Sequence, residues 1–439
     1  QGHPKHSMRK ENTMRKEKTM KKMNLLYALL LTLGVIISAG CAEKEEGASS
    51  PLLIWTEKDN DLVRALNMGD APRRLAGMTV NPGEVTTIVG IEDCEDYWGD
   101  GGPARGACLN GPHGLEMGPN GVLYFVDMWN HIVRAVNTGT ERVVVAGVYI
   151  APGDIATIAG IPESSGYSGD GGPATSAEFG DDPNGLELDN NGVLYISDQD
   201  NYVVRAVNTG TRTVTVAGVS IAPGNIATIA GIPGSSGYSG DGGPATSAEF
   251  DSKSIMGLEL DPNGVLYIAE RSNCVVRAVN TRSTPVTVAG IRIAPANIDT
   301  IAGTGDSGYN GDGASARSVE LDGPSYLALD PSGALFVSDQ WNYIVRAVNT
   351  RTESINVSGM NIGPGGLVTI AGIYDADEFS GDGGPATSAE FSYTRGIDTD
   401  SSGVVYISDG GMTGQNCCGN QVIRAINAGE GIVTRAGVQ

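Results

Sequence analysis

The stretch GYSGDGGPATSAEF occupies Gly166–Phe179 and recurs letter for letter at Gly237–Phe250. Five of its fourteen residues are glycine or proline, and none is an obvious catalytic group. Looser copies place its aspartate at Asp100, Asp170, Asp241, Asp312 and Asp382, a period of 70 or 71 residues. A phosphate-binding glycine loop would be unique in the chain and would open a helix. A segment written once per unit is instead a geometric demand. Gly supplies positive φ, Pro stiffens a turn, and Asp accepts backbone N–H groups.

Three more landmarks share the period. One is NGVLYFVD, NGVLYISD, NGVLYIAE, SGALFVSD and SGVVYISD, each starting on a turn and alternating apolar with small or polar residues. The next is VRAVN or a variant, carrying Arg64, Arg134, Arg205, Arg277, Arg346 and Arg424. The last is TIAG or TIVG, after a hairpin-like VTVAG…APG stretch. Each unit therefore reads as four strands, a to d, with an extra hairpin between c and d. With 63 glycines and short β-branched runs, the chain is all-β. One such unit cannot bury both of its faces alone. Stacking units around an axis buries them, which predicts a β-propeller of four-stranded antiparallel blades. Six arginine landmarks give six blades, approximately 52–90, 91–160, 161–231, 232–303, 304–372 and 373–439. Strand a falls at 114–118, 185–189, 257–261, 326–330 and 396–400, and the first blade has no recognisable strand a. The chain stops at VTRAGVQ, where other units continue. Either the last blade closes on the N-terminal strands, or the chain is a fragment of a longer reading frame.

The pattern SGDGGPATSA…GLELD…GVLYISD…VRAVN…TIAG resembles the NHL-repeat β-propellers, particularly the bacterial and teneurin-type subgroup. The resemblance covers nearly all of residues 52–439. It implies a six-bladed toroid from a family whose members mostly bind proteins or ligands and are rarely enzymes.

The N-terminus reads as an export signal. Lys18, Lys21 and Lys22 precede the apolar run Leu25–Ile37, which has signal-peptide rather than membrane-span length. Residues 1–22 read in part as a tag or mis-assigned start. Ser38-Ala39-Gly40-Cys41 resembles a bacterial lipobox, which implies a lipidated Cys41 and a tether over residues 41–51; Ala42 then implies the outer membrane or cell surface. A plain secretory signal is the other reading. The net charge is −22, and near −28 once residues 1–40 are set aside. Such a surface repels polyanions, which excludes nucleic acid as a partner. After Cys41 only Lys44, Lys58 and Lys253 remain as lysines.

Features present in every blade read as scaffold, and function is sought where the repeats differ. Strand b ends in Glu57, Asp127, Asp198, Glu270, Asp339 and Asp409, and in the first five units the arginine follows seven residues later. These pairs read as structural ion pairs rather than six cation sites. The residue before strand a faces the channel mouth in this fold and reads His113, Asn184, Met256, Ser325 and Arg395, a varied ring suited to a ligand. One His and no carboxylate make it a poor metal ring, which separates it from propeller lactonases and lyases. Strand a also carries Glu116, Glu187, Glu259 and Asp398, a candidate Ca²⁺ set or a set paired with arginine or water. Trp98, Trp129, His131 and Trp341 lie in loops or turns and suit either recognition or inter-blade packing. Cys94 and Cys108 are a candidate disulfide. Cys417 and Cys418, in the insertion Gly410–Gly419, are a candidate vicinal disulfide, partner loop or thiolate site. No Ser-His-Asp or HExxH arrangement is visible. The expected function is a non-enzymatic, exported scaffold for a protein, peptide or glycan, without a cofactor unless Ca²⁺. The alternatives are a lyase- or lactonase-like enzyme at the channel mouth and a stability module within a larger surface protein.

Overall fold

The computed structural model describes residues 35–38, 52–410 and 422–429. These residues form six antiparallel sheets arranged around one axis, a six-bladed β-propeller. Blade two runs from inner to outer edge through Pro112–Met117, Val122–Asp127, Ile132–Asn137 and Ile155–Ala159. Blades three to five repeat that order, with inner strands Pro183–Leu188, Ile255–Leu260 and Pro324–Leu329. Blade six has Thr394–Thr399, Val404–Asp409 and Val422–Asn427 among the described residues. Blade one is Val35–Ser38, Leu52–Glu57, Leu62–Asn67 and Val85–Val89.

Blade one corrects the sequence reading. Its inner strand is supplied by Val35–Ser38, antiparallel to Leu52–Trp55. No repeat motif marks those four residues; Val35–Ile37 end the apolar run read as an export signal and Ser38 opens the lipobox-like stretch. The other inner strands begin two residues earlier than expected. The mouth residues therefore occupy the second strand position rather than the preceding loop.

Every residue of the second strand is buried in all six blades. A blade is covered on both faces, so its middle strands need a nearly continuous apolar run rather than simple alternation. The core is six separate inter-blade clusters. In one, Val133, Ala135 and Ile158 of blade two pack on Leu186, Leu194 and Ile196 of blade three. The last cluster joins Leu53, Trp55 and Met68 of blade one to Val404 and Tyr406 of blade six, which closes the ring. Two-stranded hairpins such as Val143–Val145 with Val148–Ile150 sit between the third and fourth strands, and tuck Val145 and Ile150 into the clusters.

The repeated glycine-rich segment is the connection from one outer strand to the next inner strand. It first runs along the outer strand of the blade it is entering. Gly171 N–H donates to Ile226 O at 2.8 Å, Ile226 N–H to Gly172 O at 3.0 Å, and Ala174 N–H to Gly224 O at 2.8 Å. A single 3-10 turn, Ala174–Ser176, then carries the chain across, burying Ala174, Ala177 and Phe179. Gly169 has φ +88°, and a Cβ there would lie 2.5 Å from Ala177 Cα. Gly240 and Gly381 meet Ala248 and Ala389 at the same distance.

The repeated arginine locks this crossing. Arg205 is fully buried and donates to Glu178 O at 2.7 Å, Ser168 O at 2.7 Å and Asp170 Oδ1 at 2.6 Å. Its Nη1 also lies 3.5 Å from Asp198. Arg134, Arg277, Arg346 and Arg424 repeat the pairing with both the loop aspartate and the acid ending strand b. Arg64 has Glu57 at 3.0 Å and stays part-exposed. The loop aspartate was the partner that spacing alone did not reveal. It joins two sides of the crossing, because Asp170 Oδ2 also accepts Thr228 N–H at 2.9 Å.

Candidate functional site: the channel mouth

The inner strands come closest at a layer of glycines. A Cβ on Gly114 would lie 2.2 Å from Asn184 O, and one on Gly185 would lie 2.5 Å from Met256 O. Gly114, Gly185, Gly257 and Gly396 hold this position in blades two, three, four and six, whereas blade five has Tyr326. The Tyr326 ring fills the axis. Its hydroxyl reaches Asn184 Oδ1 at 2.7 Å and His113 Nδ1 at 3.1 Å. The hydroxyl has one proton; given to Asn184, it leaves Oη to accept from Nδ1–H of a neutral imidazole. Burial, then the charges of Lys58 and Arg395, hold His113 well below the usual imidazole range. Burial likewise pushes Tyr326 up to about 12.

Four of the five expected mouth residues are therefore floor rather than surface. His113, Asn184, Met256 and Ser325 are each buried, and only Arg395 retains part exposure. The ring that the sequence reading overlooked lies one residue beyond the acid ending strand b. It reads Lys58, Met128, Gln199, Arg271, Gln340 and Gly410. Its variation was visible in the alignment of units, as was the Tyr326 interruption of a glycine column.

Three cations gather here in an acidic protein. Lys58 Nζ lies 4.6 Å from the Trp129 ring centroid, the Arg271 guanidinium 5.9 Å from Trp341, and that of Arg395 5.2 Å from Tyr393. The two tryptophans are 40% exposed and equivalent. Each ring lies against the backbone of a glycine, since a Cβ on Gly111 or Gly323 would fall 2.8 or 2.7 Å from it. The tryptophans are thus platforms that hold Lys58 and Arg271 over the mouth, while Arg395 rests on Tyr393. Burial and Arg395 lower the Lys58 pKa against the pull of Asp59 and Asp182. Burial also lowers that of Arg271.

Below the floor, Glu116, Glu187 and Glu259 line the channel. Burial pushes Glu116 up to about 8, with Asp398 adding repulsion. Burial and the neighbouring acids raise Glu187 and Glu259 well above the carboxylate range. Among the described residues no three His, Cys, Asp or Glu side chains are gathered closely enough to hold a metal ion. Trp98 is 69% exposed, and His131 Nδ1 lies 3.1 Å from Gly180 O. Cys94 and Cys108 form a disulfide, and Cys274 is buried as a free thiol. Cys41, Cys417 and Cys418 lie outside the described residues.

No family model matches the chain. It is 24% identical to teneurin-1 of Mus musculus over 265 residues, covering 60% of this chain. It is 27% identical to teneurin-3 of Danio rerio over 266 residues, also 60% of this chain. In both cases the match spans 9% of the relative's length. Among solved structures, a nidogen/laminin complex chain overlaps 82% of this chain and 84% of its own at TM-score 0.43 and 12% identity. A virginiamycin B lyase from Staphylococcus aureus overlaps 90% and 83% at TM-score 0.40 and 10% identity. The chain is a six-bladed β-propeller whose repeats are similar to a short stretch of the teneurins.

Proposed function

We propose that this propeller is a non-enzymatic binding scaffold that recognises an extracytoplasmic protein, peptide or glycan through its channel-mouth face. The observation that carries the reading is the split between repeated and varied residues. The arginine networks and crossing loops are spent on architecture, blade after blade. The varied positions converge on one face, where Trp129 and Trp341 stand exposed beside Lys58, Arg271 and Arg395. Exposed aromatics with neighbouring cations are the usual anchors of a recognition surface. His113, the histidine of the inner strands, is buried and held neutral. Export is part of the proposal, with the lipobox-like Ser38–Cys41 as a lipid anchor in a bacterial lipoprotein; cleavage before Cys41 removes Val35–Ser38, so the inner strand of blade one belongs to the unprocessed chain and a lipidated chain leaves that inner position open.

Capture on the immobilised full chain tests this, with the variant Trp129→Ala/Trp341→Ala alongside. Partners retained by the native face and lost from the variant are expected. Retention of every partner by the variant, with its melting temperature intact, refutes the reading.

A further inference from the structure

The mouth has an unmet demand for hydrogen bonds, and it gathers three cations, Lys58, Arg271 and Arg395, with Asp59 and Asp182 as the nearest opposing charges. Arg395 Nε, Arg271 Nε, Gln199 Oε1 and both amide atoms of Gln340 are buried without a partner among the described residues. Gln199 is 5% exposed and Gln340 is fully buried. Both belong to the same varied ring as Lys58 and Arg271. Lys58 has no hydrogen bond or ion pair to any described residue, and the Arg271 guanidinium has one, to Lys253 O at 3.1 Å. A buried polar atom left unpaired costs about 1–3 kcal/mol, so a cluster of them marks a place where partners arrive with a ligand.

We propose that the channel mouth binds a single carboxylate group, carried by a small ligand that is otherwise uncharged and has hydroxyl or amide groups beside the acid. This rests on the scaffold reading above and names the ligand chemistry of the same face. Two guanidinium groups and one ammonium supply the charge-assisted donors that a carboxylate accepts. Gln199 and Gln340, turned outward from their buried positions, offer amide atoms to uncharged polar groups next to it, and Tyr326 with His113 and Asn184 forms a floor that stops the ligand entering the channel. A polyanion does not fit, because the rest of the surface is strongly acidic and acts against it over the Debye length. The glutamates beneath the floor keep the charge reversal local: an anion is met at the mouth and turned back from the channel.

Titration calorimetry on the intact chain at low ionic strength tests this with two carboxylates and their neutral counterparts. The pairs are D-glucuronate with D-glucose, and N-acetylalanine with N-acetylalaninamide. Saturable binding of at least one carboxylate is expected, at least about tenfold tighter than its neutral counterpart, and the arm that binds identifies a sugar acid or a peptide end as the source. Arg395→Gln and Lys58→Gln each weaken it about tenfold or more, Arg395→Lys restores part of it, and the exposed Arg292→Gln leaves it unchanged. A melting curve for each variant separates lost binding from lost fold. The inference is overturned if neither carboxylate binds, if the neutral analogues bind equally, or if folded Arg395→Gln binds like the native chain. If the carboxylates fail while the tryptophan variant still loses its captured partner, the scaffold reading stands alone. If they bind while capture ignores the tryptophans, the macromolecular reading falls and the small-ligand site remains.

Discussion

Replacing Arg205 with methionine should cost about 3–5 kcal/mol, the loss typical of breaking a buried ion pair. Methionine keeps much of the volume, so the measurement reports the polar network more than a cavity. The guanidinium is fully buried, and its removal strands Glu178 O and Ser168 O, each worth about 1–3 kcal/mol if left unpaired. Asp198 keeps Gly180 N–H at 2.8 Å and Asn201 at 2.9 Å, and Asp170 keeps Thr228 N–H and remains about one-third exposed. Those retained bonds place the loss within the range rather than at the sum of its parts. Arg64 offers an internal comparison. It holds the equivalent position with Glu57 as its ion-pair partner and 30% exposure, so Arg64→Met should cost only about 1 kcal/mol. Urea unfolding followed by tryptophan fluorescence, with an unchanged slope, gives both values. Adding Asp198→Asn to Arg205→Met should recover at least about 1 kcal/mol relative to additivity, because the stranded charge is gone. Equal losses at Arg205 and Arg64, or strict additivity in the double variant, would refute the claim that the buried arginine clamps the crossing loop.

Two further outcomes follow from the same geometry. Gly169→Ala must push a Cβ against the Ala177 backbone at 2.5 Å, whereas Gly171→Ala, with φ +80° and open space, carries only left-handed strain of about 1–2 kcal/mol; thermal melts should rank Gly169→Ala well below Gly171→Ala. The channel glutamates bind protons more tightly folded than unfolded, so stability is greatest below their unfolded pKa of about 4.3 and falls as pH rises toward the folded value of about 8 for Glu116. Glu116→Gln should flatten that fall in urea midpoints between acid and mildly alkaline buffer, and an unchanged slope would count against a shared channel charge.

The architecture was legible because its demands recur. A period of 70 or 71 residues, a glycine crowded by backbone at four of the crossings and an arginine buried in five of the six blades leave the same letters at the same spacing. The inner strand Val35–Ser38 was not legible, because its place is set by the gap the ring leaves and by no motif of its own. The mouth was half legible. Arg395 was found at the right strand, but burial separates it from His113, Asn184, Met256 and Ser325, and burial is not written in a column of varied residues. Tyr326 was in plain view as a break in a glycine column. Its reach across the axis to His113, 213 positions away, depends on the ring diameter, which only the assembled inner strands define.

The crossing loop has one more consequence. By hydrogen bonding along the outer strand of each blade it enters, it seals the open border where a stray polypeptide would otherwise add itself as another strand. Blade one has no such loop among the described residues, and Val85 at the start of its outer strand is 42% exposed. If these molecules ever polymerise through their margins, growth should avoid the outer strands of blades two to five, which are already capped.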